Sequence, residues 1–172
     1  MVNLLTADRV GRGKLEPVLQ PISAASAVAD TIERVTSYRE GLRQRLQVTA
    51  PPAHIVVMAD PDYLDLVLSN LLDNALKFSP DGAAIRVDVS TRNRDVLFSV
   101  TDHGIGIQQS KMESIFEPYE TAGQGSGYRS GTGVGLYLCR RLAEAQAGQI
   151  EVTSAPGSGS TFTVVLPAAA ES

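Results

Sequence analysis

Residues 70–78 read NLLDNALKF, and their polar members are the first chemistry the sequence offers. On a helix turning about 100° per residue, with Asn70 at zero, Asn74 lies at roughly 40° and Lys77 at roughly −20°. Leu64, Leu68, Leu71, Leu72 and Ala75 fall together and face a core, while Asp62, Asp65, Ser69 and Asp73 take the solvent side. The Asn/Asn/Lys stripe sits between the two. Amide oxygens can ligate a hard cation such as Mg²⁺, and an ammonium beside them can meet a phosphate. Taken alone, the stripe is more often just the polar boundary of a surface helix.

Two glycine-rich turns add to it. DHGIGI (102–107) follows the strand-like LFSVT, so Asp102 sits at a strand end where Gly104 and Gly106 let backbone come close to a ligand. An exocyclic amine of a purine is a natural donor to such a carboxylate, although a tight turn explains the same residues. GTGVGL (131–136) opens a helical pattern, where bare amides and small residues suit an anion such as a triphosphate. A P-loop is excluded because GxxxxGK[ST] is absent. A dinucleotide fingerprint is excluded too, since Leu136 stands where the last glycine is required.

Periodicity supplies the elements that must position these groups. Val28, Ile32, Val35, Leu42 and Leu46 recur at helical spacing and predict a helix over 23–46, with Gly41 a weak point. HIVVMA predicts a strand, and Asp60-Pro61 an N-cap and first-turn proline for a helix running to about Lys77. Ile85/Val87/Val89 and Val96/Phe98/Val100 alternate as strands joined by a turn in TRNRD. Ser110 and Glu113 form a capping-box pair before a short helix ending near Phe116. Residues 117–130 read as a long loop, Gly133 to Ala147 as a helix with Gly148 at C′, and QIEVTS and STFTVVLP as strands joined by APGSG. The expectation is an α+β fold, a two-layer sandwich with about three main helices on one face of a mixed, mostly antiparallel sheet.

Composition bounds the rest. The 172 residues suit one domain, and a net charge of −4 argues against a nucleic-acid surface. No apolar run approaches the roughly 18 residues of a membrane span, so no direct membrane contact is expected, and a cytoplasmic setting is the default. Cys139 is the only cysteine, which leaves no disulfide framework, and the two histidines, His54 and His103, have no zinc-site spacing. Cys139 is expected to pack as a small hydrophobe, Arg140 and Arg141 to form a solvated face, and Phe116 and Tyr119 to serve as core or as anchors of the loop.

Together and in this order, the stretches resemble the catalytic ATP-binding domain of bacterial sensor histidine kinases, in the GHKL superfamily. NLLDNALKF is similar to its N box, DHGIGI to its G1 box, IFEPY to its F box, GTGVGL to its G2 box and GSGSTFTVVLP to its closing hairpin. The resemblance implies ATP and Mg²⁺ as ligands. Asn74 would ligate the metal with Asn70 alongside, Lys77 would contact phosphate, and Phe78 would line the pocket. Asp102 would recognise the adenine amino group, with Gly104, Gly106 and Ile107 around it and Thr161 in support. Gly131, Thr132, Gly133, Val134, Gly135 and Leu136 would shape the phosphate side, residues 117–130 would be the ATP lid, and Arg129 would be its cation.

The departures from the pattern are equally informative. Neither histidine is placed as a phosphoacceptor, so the resemblance implies a separate dimerisation domain carrying that residue, and a response regulator beyond it. Residues 1–14 look like the last turns of a dimerisation helix and 15–172 like the catalytic domain, a monomeric segment of a homodimeric parent being the implied organisation. Hydrolases of the superfamily carry a Glu where this chain has Asn70, which favours a kinase over an efficient ATPase. QAG (146–148) replaces the more usual HGG, with only a local change expected. The competing readings are a regulatory nucleotide-binding module and a GHKL serine kinase of the anti-sigma type.

Overall fold

The computed structural model describes residues 15–118 and 133–170. Helix α1 (Ala24–Tyr38) starts where the Ser23 hydroxyl accepts the N–H of Ser26. The predicted helix over 23–46 is in fact two pieces. The chain leaves helical geometry at Arg39, turns through Gly41 at φ +76°, and resumes as α2 (Leu42–Arg45). Helix α3 (Pro61–Phe78) begins as expected, with the Asp60 carboxylate accepting the N–H groups of Asp62 and Tyr63 and Pro61 in the first turn.

Seven strands are described: β1 (Gln20–Ser23), β2 (Leu46–Val48), β3 (Val56–Ala59), β4 (Ile85–Arg92), β5 (Asp95–Asp102), β6 (Gln149–Ser154) and β7 (Ser160–Pro167). Five of them form a sheet in the order β2-β4-β5-β7-β6, parallel only between β2 and β4. β1 and β3 pair antiparallel beside it, and β3 touches the end of β7 through Val57 and Ala168. The sequence reading lacks β1 and β2. The hairpin between β4 and β5 turns on Asn93-Arg94, with Asn93 at φ +57°.

The alternation along β5 decides which face is inside. Val96, Phe98, Val100 and finally Asp102 are buried, while Leu97, Ser99 and Thr101 look the other way. Ile85 and Val87 from β4 and Phe162, Val164 and Leu166 from β7 join the inner face. The helices cover it with Val28 and Val35 of α1, Leu64, Leu68, Leu71 and Leu72 of α3, and Leu138 and Leu142 of α4 (Gly135–Ala145). Each such side chain stabilises the fold by about 1.5–3 kcal/mol relative to exposure. This is the mixed, mostly antiparallel sheet with helices on one face that the pattern predicts.

Three local expectations are corrected. The Ser110/Glu113 pair forms no capping box; Gln109–Lys111 and Ser114–Phe116 are single 3₁₀ turns without side-chain caps. Helix α4 ends in a Schellman motif, with the Gly148 N–H on the Ala143 carbonyl and the Ala147 N–H on that of Glu144. The left-handed C′ residue is therefore Ala147, at φ +59°, and Gly148 follows it. Gly148 is small for a different reason, since a Cβ there would lie 2.2 Å from the Val165 carbonyl oxygen.

The third correction concerns the supposed solvent face of α3. Asp65 accepts hydrogen bonds from Thr31 and Arg34 of α1, Asp73 pairs with Arg39, and Ser69 is buried beneath Arg34. That face is a polar seam between two helices. A charge pattern along one helix does not reveal a partner helix whose arginines arrive from more than thirty residues away.

Candidate functional site

Helix α3 carries the site at two points along its length. Near its middle, Asn70 donates its amide N–H to the Leu66 carbonyl one turn back, at 2.8 Å. Its oxygen then faces the start of α4: a Cβ on Gly135 would lie 3.2 Å from Asn70 Oδ1. At its end, the Phe78 carbonyl backs onto the DHGIGI turn, where a Cβ on Gly104 would meet it at 2.3 Å. One helix thus touches both glycine-rich turns.

Between those points, Asn74 and Lys77 are half-buried on the same side as Asn70. Among the described residues the Asn74 amide makes no side-chain hydrogen bond. The Lys77 ammonium lies 4.8 Å from the centroid of the Phe78 ring and joins no ion pair among the described residues. Burial lowers its pKa from the ordinary lysine value. A partly desolvated ammonium without a carboxylate partner is a group that an incoming anion would stabilise.

Asp102 closes β5 and is only 5% exposed. Its carboxylate accepts the Gly104 N–H at 2.8 Å. Burial pushes its pKa up, and the nearby N–H groups of Gly104 and Ser160 and the neighbouring His103 pull against the shift without cancelling it. The glycines of DHGIGI have a structural cause that the sequence does not show. Gly104 is pressed against α3, and Gly106, at φ +69°, has the Ala155 carbonyl oxygen 1.9 Å from where its Cβ would be. They let the turn wedge between α3 and the β6–β7 connection. Ile107 is buried, with its N–H on the Ser154 hydroxyl at 2.9 Å.

Thr161 is not where its expected role requires it. Strand pairing sets Thr161 opposite Thr101, and Ser160 opposite Asp102. Directly paired residues share a face of the sheet. Thr161 therefore lies on the outer face, its hydroxyl 2.9 Å from that of Thr101. Ser160 is the residue beside Asp102, buried and in line with Phe162, Val164 and Leu166. Extending that period-two pattern back by one step would have found it.

The remaining wall is the start of α4. The helix begins at Gly135, two residues later than expected, and Val134 at its N-cap supplies no side-chain acceptor. Gly133, at φ +66°, precedes it, and Leu136 packs partly against the core. Gly131, Thr132, Arg129 and Tyr119 lie outside the described residues, as does most of the expected lid. Phe116 is core, meeting Phe162 edge-on with ring centroids 6.4 Å apart. Cys139 is fully buried, its thiol pushed up to about 12 by desolvation. Arg140 and Arg141 pair with Glu144 at the surface.

With this geometry in view, the similarities to known proteins are specific. Residues 59–170 match the family described as histidine kinase-, DNA gyrase B-, and HSP90-like ATPase. The chain belongs to that family. It is 37% identical over 171 residues to the aerobic respiration control sensor protein ArcB of Escherichia coli K12, covering 96% of this chain and 22% of ArcB. Against the sensor protein KdpD of Clostridium acetobutylicum it is 31% identical over 166 residues, covering 96% of this chain and 18% of KdpD. The chain thus spans about a fifth of the length of these relatives.

Among solved structures, the mycobacterial sensor histidine kinase MprB aligns with a TM-score of 0.70 at 25% identity, covering 88% of this chain and 98% of that one. Full-length ShkA in complex with AMPPNP aligns at 0.78 and 24% identity, covering 98% of this chain and 35% of that one, a likeness of fold.

Proposed function

We propose that this chain is the ATP-binding catalytic domain of a sensor histidine kinase, transferring the γ-phosphoryl group of ATP to a histidine on a separate dimerisation domain. The observation that carries the proposal is the double contact of α3, with Asn70 against Gly135 and Phe78 against Gly104. Those contacts support a reading in which amide oxygens, an ammonium without an ion pair among the described residues and an acceptor carboxylate serve one ligand. The relatives named above are two sensor proteins and a sensor histidine kinase, which supports the same reading.

The donor set fits magnesium. No cluster of three or more His, Cys, Asp or Glu forms among the described residues, so a divalent cation here would rest on amide oxygens and on the phosphates themselves. Asn74 would hold it, with Asn70 alongside, and the ion when bound would neutralise charge on the phosphates. Lys77 would meet a phosphate oxygen and regain the solvation it lacks. Asp102 would accept from the adenine amine, with Phe78 and Ile107 near the base. The uncapped first turn of α4 would face phosphate with its N–H groups. Arg129, Gly131 and Thr132 would join from the lid side.

In the transfer, an imidazole nitrogen bonds to the γ-phosphorus as the bond to the β–γ bridging oxygen breaks, leaving ADP. The chain contributes positioning and charge rather than a nucleophile. Asn70 reinforces that division, because its amide cannot take a proton from water as a carboxylate would. The partners would be the parent's own dimerisation domain, in a homodimer, and a response regulator. The same reading puts the domain in the cytoplasm. No helix among the described residues is long and apolar enough to cross a membrane.

Two measurements test this reading. The isolated chain should bind Mg-ATP without labelling itself, and should label a dimerisation domain supplied in trans with acid-labile phosphate. Asn74→Ala should cut magnesium-dependent nucleotide affinity at least about tenfold; unchanged calorimetric affinity would remove Asn74 from the site.

A further inference from the structure

The hydroxyl beside Asp102 has its proton direction fixed by its surroundings. Ser154, the last residue of β6, accepts the Ile107 N–H at 2.9 Å. The same oxygen lies 2.8 Å from the Gly159 carbonyl oxygen and 2.9 Å from Ser160 Oγ. A carbonyl oxygen cannot donate, so the single Ser154 proton goes to Gly159. Ser154 can then meet Ser160 only as an acceptor, and the Ser160 proton must be the one given.

Two acceptances and one donation exhaust the Ser154 hydroxyl. Ser160 Oγ is left with lone pairs and no proton to offer. Ser160 is the register partner of Asp102, and directly paired residues share a face of the sheet. Carboxylate and hydroxyl therefore stand side by side as acceptors.

We propose that Ser154 is a positioning residue for base specificity: by taking the Ser160 proton it holds Ser160 as a pure acceptor beside Asp102. This rests on the nucleotide reading above and adds a residue to it. The site then takes a purine bearing an amine at that edge, directly or through a water that donates both protons. A purine bearing a carbonyl there meets two acceptors and leaves its own oxygen unpaired, and buried unpaired groups are how hydrogen-bonding sites reject near-isosteres. Without Ser154, the Ser160 hydroxyl is free to rotate and donate to that carbonyl.

The test compares Mg-ADP with Mg-IDP, which carries a 6-oxo group in place of the amine, by calorimetry on the isolated chain. The wild-type chain should prefer ADP. Ser154→Ala should lower both affinities through the lost Ile107 contact, yet narrow the ADP/IDP ratio by roughly tenfold. Ser154→Thr, which keeps a hydroxyl, should keep the ratio. Ser160→Ala leaves the Ser154 bonds to Ile107 and Gly159 in place and should also narrow the ratio, with no further narrowing when Ser154→Ala is added to it.

A ratio unmoved by Ser154→Ala, with both affinities falling equally, overturns the proposal and leaves Ser154 a strut. So does a ratio that narrows by the same factor whether or not Ser160 has its hydroxyl. Should Ser154→Ala not fold, an unchanged ratio in Ser160→Ala overturns it alone. A wild-type chain that binds neither nucleotide removes the nucleotide reading itself, and the proposal with it.

Discussion

The two walls that α3 touches are built in opposite ways. At the Asp102 wall, backbone meets backbone: Gly104 lies against the Phe78 carbonyl, Gly106 against that of Ala155, and the carboxylate already accepts the Gly104 N–H. At the α4 wall, the helix starts without a side-chain cap, and Gly135 faces only the amide of Asn70. The first wall is complete in the protein alone. Among the described residues the second leaves donors for something else to satisfy, which is what a fixed base site and a ligand-completed phosphate site would require.

The largest expected effect breaks the first wall. Gly106→Ala combines a left-handed backbone with a Cβ placed 1.9 Å from the Ala155 carbonyl oxygen, and neither backbone can yield cheaply. Stability should fall by about 3 kcal/mol or more, read as a lower midpoint in urea unfolding. A midpoint within error of the wild-type value would mean that the turn is not wedged as described.

Gly135→Ala sharpens the contrast, because the same chemical change at the other wall should have the opposite sign. Its Cβ would meet only the movable end of Asn70 at 3.2 Å, and the position is helical. Stability should hold or rise by up to about 1 kcal/mol. Nucleotide affinity should still fall about tenfold as Asn70 is displaced. Losses of both together would show the second wall to be as rigid as the first.

Asp102→Asn asks what the carboxylate costs the free protein. Its pKa is raised in the folded state by burial, so the folded protein binds that proton more readily than the unfolded chain does. The stability linked to protonation is full below the unfolded pKa and is lost as pH rises through the raised folded value. The wild-type chain should therefore lose stability relative to Asp102→Asn as pH climbs from the acid side, while the variant loses its preference for a 6-amino purine. A stability difference that is flat with pH would mean that the neighbouring N–H groups and His103 cancel the burial entirely.

How much of this was legible in the sequence depends on how local each determinant is. Asp60-Pro61 and the alternation through Val96, Phe98 and Val100 are statements about adjacent residues, and both stand. β1 and β2 have only four and three residues, and each exists through a strand met elsewhere in the chain. The seam of Asp65, Ser69 and Asp73 with α1 is likewise invisible to a single helical wheel. Thr161 shows the sharpest limit. Its motif was legible, but a one-residue step along a strand exchanges the two faces of the sheet, and only the pairing with β5 decides between Thr161 and Ser160.

The smallest effect belongs to Lys77, which lies between the two walls. Burial lowers its pKa, and among the described residues no carboxylate offsets that. A phosphate bound beside it favours the charged form and moves the pKa back up. Binding must then draw in a fraction of a proton wherever the free protein is partly deprotonated, and affinity must decline as pH rises through the lowered value. Calorimetry of nucleotide binding at alkaline pH, in buffers of different ionisation enthalpy, reads that uptake directly. It should vanish in Lys77→Arg, whose guanidinium stays protonated throughout. Equal uptake in both proteins would assign the proton to another group and place Lys77 with the finished wall rather than the open one.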